Sequence, residues 1–366
     1  MASASDSSPP VSAVAESEIP LPLAEVYTDE NIHNKILGKG INGLQNLGNT
    51  CYMNSILQCL IHTPWLVKYL LTNKFTEHLK PNSLEMIMVL EINKLLRFMY
   101  YSSGQVLNPI QFFRYMQLLS LKLGNGQFVG NNQHDASEFL TFVLDVLHEG
   151  LAKPINLPEE MLHHDEHHYQ SWIKTFKSGY SVMVKELFGQ YHTRTICIHC
   201  KNISSNYDPF SILHLPIPQN RENTCTLKDC YSLFSGEEEL DDNNKYKCEK
   251  CNEITNAHKM TEIWKVPNTL IICLKRFNKN GTKINTNVTF PLEDFVFTTV
   301  NGEQNVYNLY AVCNHVGDLN GGHYFSYIKD QATMNWYEMN DGLVKNISNT
   351  ARINNHYAYI LFYQKK

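Results

Sequence analysis

Three segments far apart in the chain carry the residue types of nucleophilic catalysis. The first, Asn46-Leu47-Gly48-Asn49-Thr50-Cys51-Tyr52-Met53-Asn54-Ser55, puts a thiol at the first turn of a stretch with helical spacing. Unpaired N–H groups and the positive end of the macrodipole at such a position favour thiolate over thiol at Cys51. The same N–H groups, with the side-chain amide of Asn46, suit the oxyanion of a tetrahedral intermediate. Alone, a cysteine there reads equally as a small buried residue. The second segment, Asn320-Gly321-Gly322-His323-Tyr324, opens a strand with a histidine behind two glycines, which let a substrate chain pass close to the backbone. The third, Trp336-Tyr337-Glu338-Met339-Asn340-Asp341-Gly342, is a second strand that can pair with it. Asn340 or Asp341 then reaches the imidazole and fixes its tautomer, completing nucleophile, base and orienting group.

A different chemistry belongs to Cys197-x-x-Cys200 and Cys248-x-x-Cys251. Two such knuckles bring four sulfurs to about 2.3 Å from one tetrahedral zinc ion, and with all four positions filled the metal is structural. Cys225 and Cys230 read as buried or free thiols. In Gln133-His134-Asp135-Ala136-Ser137-Glu138, Asp135 opens a helix; it serves the orphan N–H groups there, or Asp135 or Glu138 meets a basic substrate group. The run His163-His164-Asp165-Glu166-His167-His168 matches an inverted zinc-protease pattern. No third ligand accompanies it, so it reads as a charged surface.

The elements that must position these groups follow from periodicity. Met53, Ile56, Leu57 and Leu60 give the helix after Cys51 one apolar face, which Pro64 ends. Helical spacing recurs over 84–100 and 136–147, whereas 269–277, 307–315, 323–330 and 357–364 have the β-branched and aromatic content of strands. The expected class is α+β: a helical lobe, a metal-braced extension and a β-rich lobe. Residues 1–36 hold few large apolar side chains and are expected to be a flexible tail. The formal charge of −5 over 366 residues argues against nucleic acid or an anionic membrane as partner. With no transmembrane run, no secretory signal and ten cysteines, a cytoplasmic or nuclear location is expected.

These motifs, with Trp264-Lys265-Val266-Pro267, Leu274-Lys275-Arg276-Phe277 and Ala358-Tyr359-Ile360-Leu361-Phe362-Tyr363, resemble the ubiquitin-specific protease family from about Gly43 to Tyr363. The resemblance implies a papain-like fold with a thumb (37–183), zinc-bearing fingers (184–262) and a palm (263–366). It implies hydrolysis after the C-terminal glycine of ubiquitin, with Cys51 as nucleophile, His323 as base, Asn46 in the oxyanion hole and Asn340 or Asp341 as third member. Asp135, Gln133, Glu138, Gly321, Gly322 and Tyr324 are the implied substrate contacts, and segments 278–288 and 314–320 the implied loops bordering the cleft. One structural zinc on Cys197, Cys200, Cys248 and Cys251 is implied, with no organic cofactor. The implied partners are ubiquitin and ubiquitinated proteins, met by a monomer. A catalytically silent ubiquitin-binding scaffold and a related modifier as substrate are the competing readings.

Overall fold

The computed structural model describes residues 38–366 apart from 103, 124–125, 155–165, 220–222, 242–243, 279 and 319–320, and before residue 38 only 28, 32 and 36. The tail expected over 1–36 otherwise lies outside the described residues, but Ile32 is buried against the helical lobe. So do His163, His164 and Asp165 of the histidine run.

In chain order the helical lobe holds β1 (Gly43–Leu44), α1 (Cys51–Ile61), α2 (Pro64–Leu71), α3 (Leu84–Tyr101), β2 (Val106–Leu107), α4 (Ile110–Lys122), α5 (Ala136–Leu151), α6 (His167–Phe176) and α7 (Val182–Leu187). The extension follows with β3 (Gly189–Cys197), β4 (Ile203–Phe210), β5 (Leu213–Pro216), β6 (Thr224–Thr226), α8 (Leu227–Phe234), β7 (Glu238–Leu240), β8 (Tyr246–Lys247), β9 (Ile254–Thr255) and β10 (Ala257–Lys265). The last lobe holds β11 (Thr269–Lys275), β12 (Asn287–Thr289), β13 (Phe295–Thr298), β14 (Gln304–Asp318), β15 (Gly321–Lys329), β16 (Trp336–Asn340), β17 (Leu343–Ile347) and β18 (Ala358–Lys365).

The central sheet runs β17-β16-β15-β14-β18-β11-β5 with β13 on β14, and only β5 pairs in parallel. Its middle strands are buried on both faces. Ile271, Cys273, Ile360 and Phe362 pack toward the helical lobe, whereas Leu270, Ile272, Leu361 and Tyr363 belong to a second core on the far side. That alternation of period two is why these strands read as continuous apolar runs. The extension carries a separate four-stranded sheet, β4-β3-β10-β7.

Two expectations change. Helix α1 is not amphipathic: every residue from Cys51 to Ile61 is buried. Its amide side chains donate inside the protein, Gln58 Nε2 to Asn42 O at 2.8 Å and Asn54 Nδ2 to Asp341 Oδ1 at 2.8 Å, while Asn54 Oδ1 and Gln58 Oε1 are buried without a partner. Pro64 lies past the helix end and opens α2, where a missing N–H costs nothing. Second, 314–318 is not a loop but the end of β14, paired with β15 through Val316↔His323 and Gly317↔Gly322. Among 278–288, residues 287 and 288 belong to β12.

Candidate active site

Helix α1 begins at Cys51 because the chain turns sharply before it. Gly48 has φ +100° and Asn49 φ +56°, left-handed conformations that glycine and asparagine tolerate best. Asn46 Oδ1 accepts from Gly48 N at 3.0 Å and Thr50 N at 3.2 Å, and Thr50 Oγ1 accepts from Leu47 N at 2.8 Å. This knot of side-chain bonds replaces a helix cap and leaves the thiol at the first turn, only 5% exposed.

Across from it, β15 carries His323. Its Nε2 lies 2.7 Å from Asn340 Oδ1, so the amide oxygen accepts the Nε2 proton and Nδ1 is left for the thiol. A hydrogen bond with Cys51 is the largest influence on the ring and, against the opposing effect of burial, lifts its pKa to about 9; Asn340 and the negative charges of Cys51 and Asp341 add to the rise. The imidazolium form is therefore favoured beside the sulfur.

Asp341 sits one residue on, at φ +49°, and turns away from the ring. Its Oδ2 accepts from Asn46 Nδ2 at 2.9 Å, its Oδ1 from Asn54 Nδ2 at 2.8 Å, and its carbonyl from Leu44 N at 2.8 Å. Of the two candidates, Asn340 meets the imidazole, while Asp341 fixes the amide of Asn46 beside the thiol. Asn54 went unnoticed in the sequence. The only signal was a polar residue three positions after Cys51 within an apolar helix.

A hollow of about 110 Å³ leads to Cys51, walled by Gln133 and Asp135 on one side and Phe277, His315 and Gly322 on the other. Gln133 Oε1 accepts from Gly322 N at 3.3 Å, joining its two walls. The close fit depends on the second glycine, because a Cβ on Gly322 would lie 2.2 Å from His315 Nε2. Gly321 faces open space. His315, missed from sequence, is held neutral, its pKa lowered to about 4 by burial and then by Lys283. Lys283 Nζ donates to the carbonyls of His315 and Gly317, both at 2.8 Å, and the buried Arg276 donates through Nη1 to Ile284 O and Thr286 O at 3.0 Å. Lys283, Ile284 and Thr286 are thereby fastened beside the hollow.

Asp135 serves the orphan N–H groups of α5. Its Oδ1 caps α5, accepting from Ser137 N at 2.7 Å and Glu138 N at 3.3 Å. Its Oδ2 accepts from Tyr324 Oη at 3.2 Å and Tyr359 Oη at 2.8 Å, while the carboxylate also borders the hollow. Glu138 is not brought there. It takes a bond from Gln127 Nε2 at 2.5 Å and faces a separate acidic hollow with Glu85, Asp145 and Glu149.

The four knuckle cysteines converge at the tip of the extension. Each knuckle has the same backbone form. A left-handed residue follows the second cysteine, Lys201 at φ +57° and Asn252 at φ +60°, and its N–H returns to the carbonyl of the first, Cys197 or Cys248. Cys197 Sγ lies 3.9 Å from Cys251 Sγ and Cys200 Sγ 3.6 Å from Cys248 Sγ, and all four lie within 4.8 Å of one another. Tetrahedral bonds of about 2.3 Å place sulfurs roughly 3.8 Å apart, so this cluster fits zinc. Cys225 and Cys230 are buried free thiols with sulfurs 3.8 Å apart. Among the described residues no helix is long and apolar enough to cross a membrane.

Residues 42–363 match the family described as ubiquitin carboxyl-terminal hydrolase. The chain is 36% identical over 345 residues to ubiquitin carboxyl-terminal hydrolase 2 of Homo sapiens, covering 90% of this chain and 56% of that protein. It is 37% identical over 341 residues to ubiquitin carboxyl-terminal hydrolase 2 of Gallus gallus, covering 89% of this chain and 94% of that one. This chain therefore spans little more than half the length of the human relative. Among solved structures, the Ubp8-containing SAGA DUB module bound to monoubiquitin superimposes with a TM-score of 0.68 at 27% identity, covering 90% of this chain and 70% of that one. The papain-like arrangement of helical thumb, sheet palm and cysteine-tipped fingers is thereby the fold of this chain.

Proposed function

Because the chain belongs to the ubiquitin carboxyl-terminal hydrolase family, we propose that it is a cysteine-type deubiquitinase cleaving the isopeptide or peptide bond after the C-terminal glycine of ubiquitin. The observation that carries this reading is the line from Cys51 through His323 to Asn340, with the ring nitrogen and the amide oxygen 2.7 Å apart. The Cys51 thiolate adds to the carbonyl carbon while backbone N–H groups at the start of α1 and the Asn46 amide stabilise the oxyanion. As the intermediate collapses, the C–N bond breaks and imidazolium gives its proton to the departing amine, leaving a thioester. Water then adds to the thioester and its proton passes to His323. The C–S bond breaks, releasing the carboxylate and regenerating the thiolate–imidazolium pair.

The width of the approach supports the substrate. The hollow beside Gly322 admits backbone and little more, which suits a Gly-Gly tail, and Asp135 supplies negative charge to the basic residue preceding it. On this reading residues 37–183 act as thumb, 184–262 as fingers that support the body of ubiquitin, and 263–366 as palm. Cys197, Cys200, Cys248 and Cys251 would hold one zinc ion, which braces the fingertip and takes no part in the chemistry. The chain works as a monomer in a reducing compartment, cytoplasm or nucleus, where these thiols persist. A ubiquitin carrying a C-terminal electrophile will label the wild type and not Cys51→Ala, and ubiquitin aminocoumarin amide will be turned over only by the former. Absence of labelling in both proteins overturns the reading.

A further inference from the structure

The chain proposed to leave as an amine is itself a protein, and it must lie on the side of Cys51 opposite the hollow that admits the tail. That hollow is walled by Gln133, Asp135, His315 and Gly322, while Asn46, Asn340 and Asp341, which surround the dyad, take no part in it. There β16 returns into β17 through Asp341 and Gly342, with Asn340 paired to Leu343. The Leu343 side chain is 63% exposed on β17, the edge strand of the central sheet. Next to it, Val106 on β2 is 57% exposed, and its Cγ1 would lie 3.3 Å from a Cβ on Gly342.

These two aliphatic side chains stand on backbone tied to the catalytic residues. Val106 pairs with Gly43 of β1. Gly43 is packed so tightly on Gly342 that a Cβ would meet Gly342 O at 2.6 Å, and its neighbour Leu44 donates to Asp341 O at 2.8 Å. The patch is thus held in register with Asn340 and the amide of Asn46. Leu343 on the edge strand β17, with the exposed Val106 of β2 against the same turn, invites association unless something covers it during function. Continuity with the reacting bond identifies the occupant as the acceptor.

We propose that Val106 and Leu343 form the acceptor-side contact surface and receive an apolar patch beside the scissile lysine of the protein released as amine. This rests on the isopeptide hydrolysis proposed above. The test uses the full chain with three substrates: ubiquitin joined by isopeptide bonds to a peptide lysine flanked by leucines, the same with serines, and ubiquitin aminocoumarin amide. Wild type will cleave the leucine conjugate with a kcat/KM about tenfold above the serine conjugate, the scale of burying a small apolar contact. V106S/L343S will treat both peptides alike and hydrolyse the aminocoumarin, which brings no acceptor protein, to within about twofold of wild type. A preference kept by the variant, or missing from a wild type active on the aminocoumarin, overturns the proposal. So does an equal loss on all three substrates, or a wild-type dimer that the variant abolishes. A wild type inactive on all three substrates is a different result and overturns the hydrolase reading beneath it.

Discussion

Truncating Asn340 to alanine removes the acceptor that lies 2.7 Å from His323 Nε2 and leaves Asp341 where it is. A hydrogen bond to a charged partner contributes ~1.5–3 kcal/mol, and if that is lost in the transition state kcat/KM falls roughly 10- to 150-fold. The pH dependence moves in a defined direction. The amide oxygen stabilises imidazolium, and with the Cys51 bond it holds the ring near a pKa of about 9. Without it the folded-state pKa falls, so the alkaline limb of the kcat/KM profile moves to lower pH; Asn340→Asp, adding a full charge, moves it to higher pH.

The contrasting change is Asp341→Ala. It strips the charged acceptor from Asn54, which is 2% exposed, leaving the amide with the longer bonds to Leu44 O and Gln45 O, both at 3.3 Å; a hydrogen bond to a charged partner contributes ~1.5–3 kcal/mol. The second bond, to the exposed Asn46, adds little to stability but releases the amide beside the thiol. Asp341→Ala therefore lowers Tm by a few degrees, while its alkaline limb moves far less than that of Asn340→Ala, whose Tm stays near wild type. Aminocoumarin turnover across the alkaline range, measured well below each variant's Tm beside thermal melts, separates the two. If Asp341→Ala removes the alkaline limb while Asn340→Ala leaves the profile intact, the orienting group is Asp341 and the geometry argued above is wrong.

Gly322→Ala drives a Cβ into His315 and narrows the passage, so labelling by a ubiquitin electrophile will fall at least about 100-fold while iodoacetamide still alkylates Cys51; equal loss of both reactions refutes the channel argument. A strong chelator that extracts zinc from the four-cysteine cluster will weaken ubiquitin binding before it slows alkylation of Cys51, and unchanged binding by demonstrably metal-free protein refutes the bracing role.

Cys51, His323 and the knuckle cysteines were legible as candidates because each sits in a local motif whose chemistry depends on residue type. What sequence could not separate was Asn340 from Asp341. Adjacent residues at a strand end point to opposite sides, and which one meets the ring depends on the left-handed turn at Asp341. Helix α1 misled for a related reason: Asn54, Ser55 and Gln58 have the spacing of a wet face, yet the segment 42–45 and Asp341 supply acceptors to Asn54 and Gln58, and Ser55 donates back to Tyr52 O. The resemblance also misled at the end of β14, where it implied a loop over 314–320 but the ladder to β15 continues through Asp318. Glu138 shares a motif with Asp135, but Asp135 is the extended cap outside α5 whereas Glu138 lies in its first turn and faces another hollow.

The thiol and the imidazole belong to different layers, a helix and a sheet, so apolar packing alone leaves their separation free to vary by fractions of an ångström. Two carboxylates remove that freedom. Asp341, at the tip of the β16–β17 turn, holds Asn46 before α1 and Asn54 within it. Asp135, at the start of α5, holds Tyr324 of β15 and Tyr359 of β18. Asp341 reaches across the boundary between sheet and helical lobe with both oxygens and Asp135 with Oδ2, which takes two hydroxyls while Oδ1 caps α5, and directional bonds near buried surroundings resist displacement in a way that area burial does not. Because the two anchors flank the dyad from opposite sides, loss of one leaves the layers hinged about the other. The catalytic cost of either change should then exceed what the lost bonds contribute to folding stability.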